Sequence, residues 1–198
     1  MTDSDPVYQE AFRQLTEWLQ EAEARGLREP QAATLSTCGA DGRVTSRVVL
    51  VRRVEPKGLV FFTNSLSVKG RQLAENPRAA LCYYWDETGQ QIRVEGVAHP
   101  IAPEESDAYW ETRPRDAQLG SAVSRQSEVL VSREAFIGEV LALEAELQGR
   151  PVPRPDHWFG YRLEPDHIEF FINRPARMHE RTVYVKSPEG WRREWRYP

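Results

Sequence analysis

The sequence contains few cysteines and histidines, and it has no long apolar run. Its 198 residues include two cysteines, Cys38 and Cys82, and four histidines, and none of these follows the Cys/His spacing of a zinc site. Both cysteines lie in apolar, strand-like runs, which favours buried, reduced thiols and a cytoplasmic protein. No apolar stretch is long enough to cross a bilayer, and the acidic start MTDSDPVYQE is unlike a secretory signal. We therefore expect neither a metal site nor a membrane partner.

The sequence also lacks the common signatures of nucleic-acid and nucleotide binding. Its formal net charge is −4, whereas nucleic-acid-binding domains usually present a clearly basic surface. Neither G-x-G-x-x-G nor G-x-x-x-x-G-K-[ST] occurs, so a Rossmann or P-loop phosphate site is unsupported. No nucleophile stands beside a base, and no pair of carboxylates has a telling context. The chain offers cationic clusters and aromatic residues, which suit the binding of an anion.

Hydrophobic patterning predicts strands with helices inserted between them. Helices are predicted over residues 7–25, from Ser65 or Ser67 to before Pro77, from Pro103 onward and, as the longest, over 132–149. Strands are predicted over 32–38, 43–54, 58–64, 78–85, 90–101, 158–163, 167–173, 181–186 and 191–197, with a hairpin at Asp41-Gly42. This order does not alternate β and α elements. It predicts one α+β domain, a closed or half-closed antiparallel barrel with helices at its edge.

Two polar clusters lie in the first half of the chain. In residues 46–53, SRVVLVRR, Arg47 is embedded in an apolar strand and Arg52 closes it. A buried guanidinium is costly unless an anion meets it, and the alternative to a bound anion is an internal salt bridge. In residues 62–70, FTNSLSVKG, a strand end, two serines, a helix start and Lys69 converge. This pattern is typical of a phosphate site or of a simple capped helix.

Two more polar clusters lie in the second half. Residues 112–127, TRPRDAQLGSAVSRQS, carry several arginines without a strong helical stripe, so we predict a loop that holds a ligand or is merely solvated. Residues 174–184, RPARMHERTVY, place Arg177, His179 and Arg181 at every second position. In a strand these three side chains line one face with an anion in front of them; the alternative is a polar edge strand. Together the clusters suit a protein that holds a phosphorylated cofactor and leaves the chemistry to it.

These segments resemble those of the pyridoxine/pyridoxamine 5'-phosphate oxidases over nearly the whole chain. The resemblance rests on SRVVLVRR, GLVFFTNSLSVKG, NPRAALCYYW, QQIRVEG, RPRDAQLGSAVSRQS, VPRPDHWFGYRL, IEFF and RMHERTVY, which occur in the family's order. It implies an α+β, FMN-binding split β-barrel, antiparallel and Greek-key-like, with flanking helices. It also implies one domain over residues 1–198, with the N-terminal helix in 1–26 and dimerisation and substrate strands in 158–198. The implied assembly is a homodimer with FMN at its interface.

The resemblance also implies roles for individual residues. The implied FMN site comprises Arg47, Val48, Val49, Leu50, Val51, Arg52, Phe62, Thr63, Val68, Lys69 and Gln91, with Gln126, Ser127, Phe171 and Arg181 from the other subunit. The substrate phosphate is implied to lie against Arg52, Tyr109, Arg113 and Ala117. Arg177 and His179 are implied to act as catalytic residues over the pyridine ring. The implied reaction moves a hydride from the substrate C4′ carbon to flavin N5, and dioxygen then reoxidises the flavin to give hydrogen peroxide.

Several positions depart from the usual residues of that family. Arg52 stands for lysine, Phe62 for tyrosine, Val68 for arginine, Ala117 for serine and Phe171 for tryptophan. These changes leave the substrate open, because similar flavin oxidases of phenazine biosynthesis act on a non-phosphorylated tricyclic molecule. Two other classes are a non-catalytic flavin- or haem-binding split-barrel protein and a plain dimeric binding module. Arg177 and His179 weigh against both, because neither class has a need of them.

Overall fold

The computed structural model describes residues 4–198, which form eight strands and five α-helices. The helices are α1 (Pro6–Ala24), α2 (Val68–Glu75), α3 (Pro103–Glu111), α4 (Arg115–Val123) and α5 (Arg133–Leu147). The strands are β1 (Ala32–Cys38), β2 (Val44–Glu55), β3 (Gly58–Asn64), β4 (Arg78–Trp85), β5 (Gln90–Pro100), β6 (Trp158–Ile172), β7 (Glu180–Ser187) and β8 (Gly190–Trp195). A short 3₁₀ turn, Pro175–Arg177, precedes β7. No helix in residues 4–198 is both long and apolar enough to cross a membrane.

Six of the strands close into a barrel. Neighbouring strands follow the order β3-β2-β1-β4-β5-β6-β7-β8, and β3 also pairs with β6, so the first six strands form a ring. The pairings are antiparallel. Residues 158–163 of β6 pair with β3, whereas residues 167–172 pair with β7. The predicted α+β antiparallel split barrel with flanking helices is therefore confirmed, and β7 and β8 extend the sheet beyond the ring.

A bulge between β5 and β6 makes β6 one strand instead of the two predicted over 158–163 and 167–173. The register shifts between Glu95 and Gly96, and Pro165 stands opposite Gly96. A Cβ added at Gly96 would lie 1.9 Å from the Glu164 carbonyl oxygen, so the two backbones approach too closely for any side chain there. Proline has no N–H to pair and is tolerated at such a bulge. The Pro165-Asp166 pair, which has the composition of a turn, therefore lies inside a continuous strand.

The barrel interior is filled by apolar side chains from every strand of the ring. Leu35, Phe61, Leu81, Ile92, Val94 and Leu163 are fully buried. Helix α1 packs on this core through Ala11 and Leu15. The Asp5 carboxylate accepts hydrogen bonds from the N–H groups of Val7 and Tyr8, which caps the helix, and from the N–H of Trp191 in β8. The start of the first helix is thereby tied to the last strand.

A second, smaller core lies among α3, α4, α5 and the start of β6. It contains Trp110, Leu119, Leu147, Val152 and Trp158. Helix α4 lies in the segment predicted as a loop, so that prediction is wrong. The helix buries only Leu119, and a helix with one buried side chain shows no apolar stripe in its sequence.

Three other predictions are corrected in detail. The longest helix is α1, with 19 residues, and not α5, with 15. The segment with alternating cations is not a strand throughout, because the residues after Pro175 have positive φ, 55° at Ala176 and 60° at Arg177. Strand β7 begins only at Glu180, so Arg177 and His179 do not share a strand face with Arg181. The two cysteines are free thiols, as predicted, but they are only half-buried.

We predict that Gly96→Ala destabilises the barrel. The added methyl group meets the Glu164 backbone, which cannot rotate away, so we expect a loss of about 1–3 kcal/mol in the free energy of unfolding. Urea unfolding monitored by circular dichroism measures this loss. Gly138→Ala is the matched control, because Gly138 is exposed in α5 with nothing within 4 Å of the new Cβ. That control gains up to about 1 kcal/mol of stability from helix propensity. Equal stability of the two variants would contradict the prediction.

Candidate functional site

A cleft of about 640 Å³ lies between β2, the end of β3, the start of α2 and the α3–α4 region. Its lining combines cations, hydroxyl groups and aromatic rings. The lining residues are Arg47, Val48, Val49, Leu50, Arg52, Phe62, Thr63, Asn64, Val68, Lys69, Tyr109, Arg113, Gly120, Ser121, Ser124, Gln126, Ser127 and Trp158. Three of the four polar clusters of the sequence therefore meet in one cleft.

The charge of this cleft has one sign. Arg47, Arg52, Lys69 and Arg113 line it, and no Asp or Glu of the described chain does. Confined cations without counter-ions repel one another and lose hydration, and both effects are relieved when an anion binds. The lining thus has the chemistry of a site for a ligand that carries several negative charges.

Arg47 is held in the cleft by neutral oxygens. Its guanidinium donates to the Leu35 carbonyl at 3.2 Å, to the Thr37 Oγ1 at 2.7 Å and to the Thr45 Oγ1. Burial lowers the pKa of Arg47. The internal salt bridge considered from the sequence is absent among the described residues, so the charge of Arg47 is left for a ligand.

The start of α2 carries the second cation of this end of the cleft. Ser67 caps the helix, and Lys69 donates to the Ser67 hydroxyl at 3.2 Å and to the Gln126 Oε1 at 2.7 Å. The Val68 N–H donates to the Ser127 hydroxyl at 3.2 Å. Burial, followed by the charge of Arg47, lowers the pKa of Lys69 to about 8. Gln126 and Ser127 therefore lie on the cleft of their own chain, which differs from the expectation that the other subunit provides them.

The opposite end of the cleft is aromatic and cationic. The ring of Phe62 stacks on Tyr109 with centroids 4.0 Å apart, and on Trp158 with centroids 5.3 Å apart. Arg113 lies over the ring of Trp158. Burial is the main cause that lowers the pKa of Arg113, and the charge of the exposed Arg52 nearby lowers it further. Arg52, Tyr109 and Arg113, which the resemblance implies for the substrate phosphate, thus lie in one cleft.

Most of the remaining predicted residues form a separate group on β5, β6, β7 and the turn that precedes β7. Gln91 pairs with Phe171 in the sheet, and Phe171 pairs with Arg181. The ring of His179 lies 5.0 Å from that of Phe171. None of these four residues lines the cleft described above. We call these four residues, together with the exposed Arg177 in the turn before β7, the outer group.

A buried carboxylate organises the outer group. Glu169 is 3 % exposed and accepts from Arg181 Nε at 2.6 Å and from Arg93 Nη1 at 3.1 Å. Arg181 also donates to the Tyr197 carbonyl at 3.0 Å. The His179 Nδ1 accepts from the Arg174 N–H at 3.1 Å, whereas Arg177 is exposed and makes no hydrogen bond within residues 4–198. One chain therefore holds two incomplete groups of candidate residues.

Two predicted residues lie away from both groups. Val51 is 3 % exposed and packs in the barrel core, although its neighbours Leu50 and Arg52 line the cleft. Ala117 lies on α4, but Gly120, Ser121 and Ser124 line the cleft from that region instead. These three residues, together with Asn64 and Trp158, were missed from the sequence. A predicted helix over residues 115–123 would have indicated that residues three and four apart share one face. The segment carries no apolar stripe, so its sequence does not indicate a helix.

Comparison with known proteins gives one consistent result. Residues 19–146 match the family model described as pyridoxamine 5'-phosphate oxidase, and residues 158–198 match the pyridoxine 5'-phosphate oxidase C-terminal dimerisation region. The chain is 47% identical over 191 residues to a pyridoxine/pyridoxamine 5'-phosphate oxidase of Rubrobacter xylanophilus, covering 96% of this chain and 86% of the relative. It is 41% identical over 198 residues to one from Myxococcus xanthus, covering 100% of this chain and 94% of the relative.

Two solved structures share the fold of this chain. PhzG from Burkholderia lata 383, in complex with tetrahydrophenazine-1-carboxylic acid, superposes with a TM-score of 0.91 at 37% identity, covering 98% of this chain and 96% of that one. A pyridoxamine 5'-phosphate oxidase-related, FMN binding protein from Nostoc punctiforme shares the fold, with a TM-score of 0.72 at 19% identity over 93% of this chain and 95% of that one.

We predict that Lys69 makes the stability of the ligand-free protein rise with pH above about 8. The folded-state pKa is about 8, whereas the unfolded lysine keeps its ordinary value of 10.5. Between these values the unfolded chain binds more protons than the folded chain, so the free energy of unfolding increases with pH.

Urea unfolding of wild type and Lys69→Met, measured from about pH 7 to pH 10, tests this effect. The stability of wild type should rise relative to that of the variant as the pH increases. Lys57→Met removes an exposed lysine and controls for the loss of one charge. Parallel pH profiles for wild type and Lys69→Met would contradict the prediction.

Proposed function

This chain belongs to the pyridoxamine 5'-phosphate oxidase family, and we propose that it oxidises pyridoxamine 5'-phosphate and pyridoxine 5'-phosphate to pyridoxal 5'-phosphate, with FMN as its cofactor. The substrate loses a hydride from C4′ and a proton from the oxygen or nitrogen attached to it, and dioxygen takes up these two electrons and two protons as hydrogen peroxide. With the amine substrate, water then adds at C4′ and the nitrogen leaves as ammonia. The chemistry that bound FMN would supply is the acceptance of a hydride from C4′ and the delivery of its electrons to dioxygen.

The observation that carries this proposal is the pairing of cations at two places in one carboxylate-free cleft. Arg47 and Lys69 are close enough for the arginine to lower the pKa of the lysine. The pKa of Arg113 is lowered mainly by burial and, to a smaller extent, by the charge of Arg52. Two cation pairs suit two phosphates, one on the cofactor and one on the substrate. The apolar side chains of Val48, Val49 and Leu50 also line the cleft, where they suit a flat ring.

The residues present fit FMN at the end of the cleft near α2. The start of α2 is an anion-binding terminus, and the neighbouring Thr63 and Ser127 add hydroxyl groups. A phosphate bound there would hold Lys69 in its charged form, because an anion offsets the burial that lowers the pKa of this lysine. Arg47 already has three neutral acceptors and would add the second charge.

We propose a homodimer in which the outer group of one chain closes the cleft of the other. The match of residues 158–198 to a dimerisation region supports this assembly. Exposed apolar side chains occur beside both groups: Val44 and Val48 on β2, and Met178 and Trp195 near β7. In such a dimer Arg177 and His179 of one chain would face the substrate held by Arg52 and Arg113 of the other.

The contact of His179 with Arg174 defines its role in this proposal. Because Nδ1 accepts a backbone N–H, the neutral imidazole carries its proton on Nε2. Nε2 would then donate a hydrogen bond to the substrate, and Arg177, which has no partner within residues 4–198, would add a second donor. These donors would orient the pyridine ring and move protons within hydrogen-bond reach of C4′ substituents.

A second candidate is the oxidation of a non-phosphorylated aromatic molecule. It is favoured by the similarity to PhzG, whose structure holds tetrahydrophenazine-1-carboxylic acid. The cation pair Arg52 and Arg113 favours a phosphorylated substrate instead. The two candidates differ in whether substrate phosphate contributes to turnover.

We expect the purified, FMN-loaded protein to produce peroxide in air with pyridoxamine 5'-phosphate and pyridoxine 5'-phosphate. Arg113→Ala should lower kcat/KM for these substrates by about 10- to 100-fold, because a charge-assisted hydrogen bond is lost. The non-phosphorylated vitamers should react poorly with wild type. A yellow protein without turnover on either phosphorylated vitamer would overturn the assignment, and turnover only on a tricyclic acid would establish the second candidate.

Mixed dimers test the shared site directly. Arg113→Ala and Arg177→Ala are each expected to be nearly inactive alone, because each removes one group from both sites. Co-refolded in equal amounts, they should recover about a quarter of the wild-type activity, since half of the dimers carry one intact site of two. Mixtures that stay as inactive as the parent variants would show that one chain supplies both residues.

A further inference from the structure

We propose that Trp158, assisted by Trp110, is a positioning residue that holds the Arg113 guanidinium in the orientation in which it meets the substrate phosphate. This inference rests on the proposed function. It assigns a role to a residue that touches the cation and lies at the first position of β6.

Arg113 is held by aromatic faces and not by a counter-ion. Its Cζ lies 4.7 Å from the ring centroid of Trp158 and 5.2 Å from that of Trp110. Within residues 4–198 no carboxylate forms an ion pair with it, and its Nη1 is buried without a hydrogen-bond partner. A buried N–H group without an acceptor is costly, so this atom is poised for an acceptor that the ligand brings.

The kind of group that holds Arg113 decides whether its N–H groups remain available to a ligand. A carboxylate would neutralise Arg113 and occupy its N–H groups, so a phosphate would have to displace it. An indole face attracts the cation through its π system and leaves the N–H edge of the planar group unoccupied. The arrangement therefore fixes the guanidinium while keeping its donors available.

The two indoles are themselves fixed. Trp158 is 6 % exposed and Trp110 is 3 % exposed, and their rings meet edge to face at 4.8 Å. The Trp110 Nε1 donates to the Val152 carbonyl at 2.8 Å. Phe62 lies nearly parallel to Trp158, with 11° between the ring planes. Rings held by packing and a hydrogen bond give Arg113 one preferred orientation.

Arg115, in the same segment, is held by hydrogen bonds to acceptors of the protein itself. It lies two residues after Arg113, and its Nε donates to Glu144 at 3.0 Å. Its Nη1 donates to the Arg150 carbonyl at 2.8 Å, and it does not line the cleft. Arg115 is therefore a matched control for Arg113.

The test measures binding of a dead-end ligand pair to the FMN-loaded protein. Calorimetry with 4-deoxypyridoxine 5'-phosphate and with 4-deoxypyridoxine separates phosphate recognition from ring recognition, because neither compound can be oxidised. We expect Trp158→Leu to raise the Kd of the phosphorylated ligand about tenfold, with little change for the other ligand. Trp158→Phe keeps an aromatic face and should restore most of the affinity. Arg115→Lys should leave both values unchanged.

Kinetics should show the same separation. Trp158→Leu should raise KM for pyridoxine 5'-phosphate about tenfold while kcat changes little, because the reacting carbon is untouched. Arg113→Lys keeps the charge but cannot stack, so it should resemble Trp158→Leu. The double variant that combines Trp158→Leu with Arg113→Lys should show no larger rise in KM than either single variant. Both substitutions disrupt the same contact between the guanidinium and the indole.

Each outcome bears on the inference. A folded Trp158→Leu protein with unchanged phosphate preference overturns it, and so does an equal loss of affinity for both ligands, which indicates a structural role. If Trp158→Leu does not fold, Arg113→Lys decides, because wild-type affinity for the phosphorylated ligand in that variant would show that the stacked guanidinium is not required, which overturns the inference. A wild-type protein without phosphate preference contradicts the proposed function and the inference together. A wild-type preference that persists in the variants contradicts the inference alone.

Discussion

The antiparallel pairing of β3 with the first half of β6 is the contact on which the site depends. It places Asn64 opposite Trp158 and thereby brings the end of β3, the start of β6 and the start of α2 together. The second half of β6 continues past the bulge at Gly96 and carries Glu169 and Phe171 to β7. One strand thus builds one side of the cleft and also the sheet that holds the outer group. Loss of this closure would separate the cationic and aromatic ends of the cleft.

Positive charge without counter-ions is the second constraint, and it is concentrated in the cleft. Several arginines elsewhere are paired: Arg53 with Glu105, Arg162 with Glu55, and Arg181 with Glu169. In the cleft Arg47 meets hydroxyl and carbonyl oxygens, and Arg113 meets indole faces. The fold supports this unfavourable charge through its well-packed barrel core, and a bound anion relieves it. The local cost therefore favours the binding of an anion.

The division of candidate residues into two groups has a geometric origin. The cleft lies beside β2 and α2, whereas the outer group lies on strands that extend beyond the closed ring. A single chain cannot fold β7 back over its own cleft while β7 pairs with β6. A second copy can supply the missing face, which agrees with a dimerisation region at residues 158–198.

The sequence by itself determined most of the elements and the family. The predicted strands 58–64 and 78–85 coincide with β3 and β4, and Ser67 and Ser132 cap α2 and α5 as expected. These features depend on neighbours within a few residues, so periodicity, capping and turn chemistry reveal them. The need of the buried arginines for polar or anionic partners was also visible, because an arginine inside an apolar run is costly wherever it lies in the fold.

Only the tertiary structure decided which of these residues work together. Arg113 and Arg115 stand on either side of Pro114 and have nearly the same local sequence. Even so, Arg113 lies against two indoles, whereas Arg115 pairs with Glu144. Helix α4, the continuity of β6 and the turn before β7 were hidden, because each depends on a partner distant in sequence. A short-range sequence pattern shows that a polar side chain needs a hydrogen-bond or charge partner. Which partner it has is decided by contacts between segments that are distant in sequence, and these exist only in the folded chain.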